Sequence, residues 1–195
     1  MNKYFLIIIA AAVAALGAGG AQAIWRFTDT RDGKTYRTVK IDKMVWMAEN
    51  LNFAAKGSVC YENKNANCAK YGRLYNWDTA LKACPDGWSL PSDDEWAALE
   101  NYAGGVKKAG TKLKSKAGWN NNGNGTDQYG FAALPGGGGS SGGGFGYVGI
   151  FGLWWSTTED SANHARSRYM YYDGEHVGWD VYNKTYRLSV RCVAD

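Results

Sequence analysis

The stretch Cys84-Pro85-Asp86-Gly87-Trp88-Ser89-Leu90-Pro91-Ser92-Asp93-Asp94-Glu95-Trp96 separates one expected helix from the next. Before it, Leu74, Trp77, Leu81 and Cys84 recur at helical spacing. That predicts a helix over about residues 74–83, which Pro85 cannot continue. After it, Ser92-Asp93-Asp94-Glu95 has the form of a capping box. The serine oxygen can accept from a free N–H of the first turn, and Glu95 can reach back to the Ser92 N–H. The three acids also suit the positive end of the helix dipole. Trp96, Leu99 and Ala103 form the inward stripe, and Gly104-Gly105 ends the helix.

Towards the N-terminus, Ile24–Phe27 and Thr35–Ile41 have strand character, with Asp32-Gly33 as a hairpin signal between them. Val45-Trp46-Met47 is a third short apolar run. Tyr61–Lys70 is polar and flanked by Cys60 and Cys68, which predicts a loop closed by its own bridge. Towards the C-terminus, five lysines fall between Lys107 and Lys116, and a solvated face is favoured there over an anionic-ligand patch. Residues 119–152 are rich in Gly and Asn. Within them Gly136–Gly146 is nearly all Gly and Ser, a composition that buries little apolar area and predicts a long surface loop. Ordered structure resumes at Trp154-Trp155-Ser156. Ala165–Tyr172 and Val177–Tyr182 alternate around Asp173-Gly174, as a hairpin does. In a last strand over Tyr186–Val193, Tyr186, Leu188, Val190 and Cys192 share one face, which points Cys192 into the core. No internal repeat is present.

The first 23 residues combine a positive start at Lys3, an apolar run from Tyr4 to Leu16 and the ending Ala21-Gln22-Ala23. This is the pattern of a secretory signal peptide, cleaved after Ala23 or kept as an anchor. The run is shorter than the ~20 residues that span a bilayer core. No cysteine follows it closely, which argues against a lipoprotein anchor, and no later segment suits a membrane span. Residues 24–195 then form one domain, long enough to bury a core. The net charge of +4 on 195 residues is too mild to suggest nucleic-acid binding. Cys60, Cys68, Cys84 and Cys192 are even in number, and in an oxidising compartment they predict two disulfides with three connectivities open. Zinc is disfavoured, because no C-x-x-C pair exists and His164 and His176 are the only histidines.

Val45-Trp46-Met47-Ala48-Glu49-Asn50-Leu51, Tyr71-Gly72-Arg73-Leu74-Tyr75-Asn76-Trp77, the Cys84–Ser92 stretch, Gly125-Thr126-Asp127-Gln128-Tyr129-Gly130-Phe131 and Leu188-Ser189-Val190-Arg191-Cys192-Val193 occur in an order that resembles the Fibrobacter succinogenes major paralogous domain family. The likeness runs from about Val39 to Asp195. That family in turn resembles the C-type-lectin-like fold, which also contains the formylglycine-generating enzymes. The resemblance implies an α+β architecture: two helices packed on twisted antiparallel sheets, with long Gly/Asn-rich loops and termini close together. It implies the pairing Cys84–Cys192, leaving Cys60–Cys68. In the chain-entropy model these loops contribute at most about 5 and about 2.5 kcal/mol. The calcium-and-sugar motifs of C-type lectins (Glu-Pro-Asn or Gln-Pro-Asp, and Trp-Asn-Asp) are absent from the sequence, and so is a reactive cysteine pair near the C-terminus. Neither activity carries over.

Several patterns bear on chemistry. Gly138-Gly139-Ser140-Ser141-Gly142 matches a nucleophile elbow in letters but lacks the apolar strand before it. Gly144-Phe145-Gly146-Tyr147-Val148-Gly149 matches a dinucleotide fingerprint without the expected strand and helix. Asn120, Asn122, Asn124 and Asp127 offer oxygens for a weak calcium site, against a plain Asn/Gly turn cluster. Glu159, Asp160, Asp173 and Glu175 are available as paired acids for glycoside hydrolysis, which their spacing in space decides. Tyr169, Tyr171, Tyr172, His176, Trp179 and Tyr182 crowd one hairpin. Flat rings stack on sugars and anchor protein contacts, but strand alternation turns half of such a set to the core. The resulting expectation is an exported, non-catalytic module at the bacterial cell surface or envelope that binds polysaccharide or a surface protein. It has no nucleic-acid partner and no cofactor beyond weak calcium. A structural envelope protein and a divergent glycoside hydrolase are the alternatives.

Overall fold

The structure is a computed structural model and describes residues 24–195; the expected signal peptide, residues 1–23, lies outside the described residues. Among the described residues twelve strands are present: β1 (Ile24–Thr28), β2 (Thr35–Ile41), β3 (Met44–Met47), β4 (Leu74–Tyr75), β5 (Trp88–Ser89), β6 (Gly136–Gly139), β7 (Phe145–Val148), β8 (Phe151–Ser161), β9 (His164–Tyr171), β10 (Gly178–Asn183), β11 (Leu188–Ser189) and β12 (Val193–Ala194). Four α-helices accompany them in the described residues: α1 (Asn65–Tyr71), α2 (Trp77–Ala80), α3 (Asp93–Tyr102) and α4 (Ala109–Leu113). The first sheet runs β1-β2-β3-β12-β5, so the first and last strands share it. The second runs β10-β9-β8-β11-β4, with β6 added beside β8 and β7 paired to β6. The protein is thus α+β. Its sheets are not wholly antiparallel, because β8 pairs in parallel with β11 and with β6.

The capping box forms. The Glu95 N–H donates to Ser92 Oγ (3.2 Å), and the Ser92 N–H donates to Glu95 Oε2 (2.7 Å). Trp96, Leu99 and Ala103 are buried, and the Gly105 N–H closes the helix on the Glu100 carbonyl. Upstream, the expected helix over 74–83 shrinks to α2. Leu74 and Tyr75 instead pair as β4 with Ser189 and Leu188. Asn76 Oδ1 accepts from the Thr79 N–H at 2.9 Å, so the helix can start only at Trp77. The expected loop inside the Cys60–Cys68 bridge contains most of α1, held by buried Cys68 and Tyr71. Both disulfides are the ones the resemblance implied, Cys60–Cys68 and Cys84–Cys192.

Two further expectations are corrected. Gly136–Gly139 is not a surface loop but strand β6, buried at all four positions. A Cβ on Gly137, whose φ is +62°, would lie 2.3 Å from the Gly146 carbonyl oxygen. Backbones approach so closely there that only glycine fits, and burial needs no apolar side chain. The lysine run is not wholly a solvated face either. Lys114 is buried beside α4, and its ammonium donates to the carbonyls of Tyr171 (3.3 Å), Tyr172 (3.0 Å) and Gly174 (3.0 Å). Burial lowers its pKa, while Asp173 and Glu175 pull the other way.

Neighbouring tryptophans divide the core. Trp154 joins Trp46, Trp96, Leu99 and Phe131 on one side of β8, and Trp155 joins Leu153, Tyr75, Leu188 and Cys192 on the other. Arg191, in the break between β11 and β12 that divides the expected last strand, is fully buried. It donates to Asn50 Oδ1 from Nε (3.0 Å) and Nη2 (2.7 Å) and to the Phe131 carbonyl, and it lies over the Phe131 ring. Burial pulls its pKa down to about 9, opposed by Glu49 and Asp127, so it keeps its charge at neutral pH. Asn50 Oδ1 also accepts from Trp154 Nε1 (2.9 Å), joining the two sheets through one amide.

Candidate functional site

Strands β8, β9 and β10 set up two faces by their register. Phe151 stands opposite Tyr171, Leu153 opposite Tyr169, Tyr169 opposite Gly178, and Ala165 opposite Tyr182. Period-two alternation puts Phe151, Leu153, Tyr169, Tyr171, Asp180 and Tyr182 on one face. Gly178 gives Tyr169 its place, since a Cβ there would lie 2.3 Å from Tyr169 Cζ. The result is an open cleft of about 500 Å³.

Five of the six expected aromatic-hairpin residues line this cleft: Tyr169, Tyr171, His176, Trp179 and Tyr182. Trp179 reaches only the rim. It stands opposite Arg168 in the register, and the Arg166 guanidinium sits 4.9 Å from its ring centroid. Tyr172 is not in the cleft. It follows the end of β9, packs against the Trp154 side of the core and gives its carbonyl to Lys114. The structure adds Phe151, Leu153 and Asp180. Phe151 is central, with its ring 4.8 Å from Tyr171 and 6.0 Å from Tyr169. Tyr169 meets His176 edge-on at 5.8 Å. Phe151 was hidden in the sequence because its segment had the composition of a loop. The signal that could have found it is the Phe151-Gly152-Leu153 alternation beside Tyr169 and Tyr171.

The electrostatics of the cleft are mild. Asp180 is the one carboxylate among its lining residues, and no lysine or arginine lines it. Burial raises the Tyr182 pKa, and Asp180 adds to this. The Tyr171 pKa is raised by its hydrogen bond to Tyr172. Both hydroxyls stay protonated at neutral pH, able to donate and to accept.

The other expected positions lie elsewhere. Asn124 Oδ1 accepts from the Trp119 N–H (3.0 Å) and Asp127 Oδ1 from the Ala132 N–H (2.8 Å), so both oxygens serve turns of the chain. The Asn120 side chain lies against Gly149, and Asn122 is in the adjoining single turn. Among the described residues no cluster of three or more His, Cys, Asp or Glu could hold a metal ion. Glu159 pairs with Lys184. Glu159, Asp160, Asp173 and Glu175 are all absent from the cleft lining. Ser140 Oγ accepts from the Gly144 N–H in a turn, and Phe145–Val148 of the dinucleotide-like match is strand β7. A second cleft of about 390 Å³ includes Lys34, Arg37, Glu49 and Lys70, with Arg37 neutralised by Glu49 at 3.0 Å.

Fold and site together define an α+β protein, bridged by two disulfides, with an aromatic cleft open on one sheet. The family model described as Fibrobacter succinogenes major domain matches residues 39–194, and the chain belongs to that family. No curated protein and no solved structure matches it.

Proposed function

We propose that the protein is an exported, non-catalytic module that recognises polysaccharide at the bacterial cell surface. The observation that carries this reading is the cleft in which Phe151, Tyr169 and Tyr171 present contacting rings beside hydroxyls and Asp180. Rings cover the C–H faces of sugars, and the polar tips satisfy sugar hydroxyls without a buried charge. A C-type-lectin-like arrangement suits the first and last strands sharing one sheet and the bridge from the end of the α2 segment to the last strands. Two disulfides favour an oxidising compartment. No described helix is long and apolar enough to cross a membrane.

A non-catalytic role rests on the cleft acids. Glycoside hydrolysis of the common kinds needs two carboxyl groups about 5–10 Å apart, and Asp180 is the single carboxylate lining the cleft. Independence from calcium follows from the same reading, since tyrosine, histidine and one carboxylate make a poor calcium shell.

The test is retention of residues 24–195 on insoluble neutral polysaccharides, with and without EDTA. Retention that EDTA leaves intact and Tyr171→Ala weakens is expected. Failure to be retained on any of them would overturn the proposal, and turnover of chromogenic glycosides lost in Asp180→Asn would replace it with an enzyme.

A further inference from the structure

Tyr147 holds a backbone conformation that its own side chain disfavours. Its φ is +71°, in the left-handed region where a bulky residue is an outlier. Seven other non-glycine residues among those described have positive φ. Five of these are Asn or Asp (Asp42, Asn63, Asn121, Asn122 and Asp127), which tolerate it by local hydrogen bonding. Ala132 is tied down by its N–H to Asp127 and its carbonyl near Arg191, and Glu62 lies inside the single turn Tyr61–Asn63, which the Asn63 N–H closes on the Cys60 carbonyl.

The backbone at Tyr147 is set by the β6–β7 hairpin. Gly136 pairs with Val148 and Gly138 with Gly146, which leaves Gly137 and Tyr147 between them, both with positive φ. That geometry asks for glycine, and glycine occupies positions 142, 143, 144, 146 and 149 around it. A tyrosine there brings strain and no burial, for it is 61% exposed. Its ring makes an edge contact with Phe151 at 5.6 Å and 86°. Phe151 is the same ring that meets Tyr171 at 4.8 Å inside the cleft. Backbone strain of this kind clusters at active sites and ligand clamps, where the surrounding structure holds it in place.

We infer that Tyr147 is a second stacking position of the cleft, and that the ligand is an extended, uncharged saccharide chain rather than a single sugar. This rests on the polysaccharide reading above. The run Tyr147, Phe151, Tyr171 continues past the cleft, so a single sugar ring fills one end and a chain reaches both. The absence of lysine and arginine from the lining, with Asp180 present, disfavours uronate-rich chains.

The experiment is calorimetric titration with neutral gluco-, xylo- and manno-oligosaccharides, from disaccharide to hexasaccharide, and with a uronate hexasaccharide. Wild type, Tyr147→Asn and Tyr171→Ala are compared. Asn accepts the left-handed conformation and removes the ring. In Tyr147→Asn, hexasaccharide affinity falls about tenfold, disaccharide affinity is unchanged, and Tm stays level or rises. Tyr171→Ala weakens every length. Unchanged hexasaccharide affinity in Tyr147→Asn, a lowered Tm, or preference for the uronate chain overturns the inference and leaves the polysaccharide reading standing. Absence of wild-type binding to every oligosaccharide overturns both.

Discussion

One sheet, β8–β9–β10, presents two faces that treat polar atoms in opposite ways. On the face towards α3, Arg168 is buried with its donors engaged. Nε donates to Asp93 Oδ1 (2.9 Å), Nη1 to Glu100 Oε2 (3.0 Å) and Nη2 to the Asp93 carbonyl (3.0 Å). Arg166 brings a second cation to Asp93, at 3.0 Å from Oδ2. On the other face, four aromatic rings (Phe151, Tyr169, Tyr171 and Tyr182) and Asp180 stand around buried Leu153. The closed face fixes where α3 sits, because a buried charge must be paired. The open face leaves its rings and polar tips uncovered. The same strands supply both, since alternate residues serve alternate faces.

The sharpest way to break this contrast is Arg168→Ala. It strands Glu100 and part of Asp93 without their cation, and about 3–5 kcal/mol of stability is lost in urea unfolding. A loss under 1 kcal/mol would make the closed face ornamental. Lys114→Met comes next. It leaves the carbonyls of Tyr171, Tyr172 and Gly174 without their ammonium donor, at a cost of about 1–3 kcal/mol. Because that turn carries Tyr171 and leads to His176, polysaccharide retention falls as well, and intact retention would uncouple the turn from the cleft. Tyr171→Ala should alter the open face alone, with retention reduced about tenfold and stability changed by less than about 1 kcal/mol.

The smallest effect is a pH slope. Burial raises the Glu100 pKa above 4.5, offset in part by Arg168. The folded state therefore holds a proton that the unfolded chain has already released. The stability this group contributes is full at low pH and declines as pH rises from 4.5 through the folded pKa. The stability difference between wild type and Glu100→Gln should shrink in wild type's disfavour over that window. A difference that grows with pH would show that the Arg168 charge outweighs burial.

Much of the contrast was legible beforehand and some was not. Tyr169, Tyr171, His176 and Tyr182 stood out through their density on one hairpin. Phe151 and Leu153 did not, because their part in the site comes from the cross-strand register of β8 with β9, a pairing outside any local window. Tyr172 was grouped with the rest because the sequence does not mark where β9 stops. Tyr147 lay inside a motif match whose context failed, and only its φ sets it apart.

The glycine run makes the same point about the fold. Composition placed Gly136–Gly139 on the surface, yet these residues are buried and pair with both β7 and β8. By itself the sequence determined the α3 capping box, the β1–β2 and β9–β10 hairpins and the even cysteine count. Each of these depends on residues close in the chain or on simple parity. The family motifs added the Cys84–Cys192 pairing. Tertiary structure alone decided that Arg191 and Lys114 are buried, that a strand can be made of glycine, and which aromatic rings meet. Those outcomes depend on which distant backbones come close enough to exclude water or a side chain, and no local pattern encodes that distance.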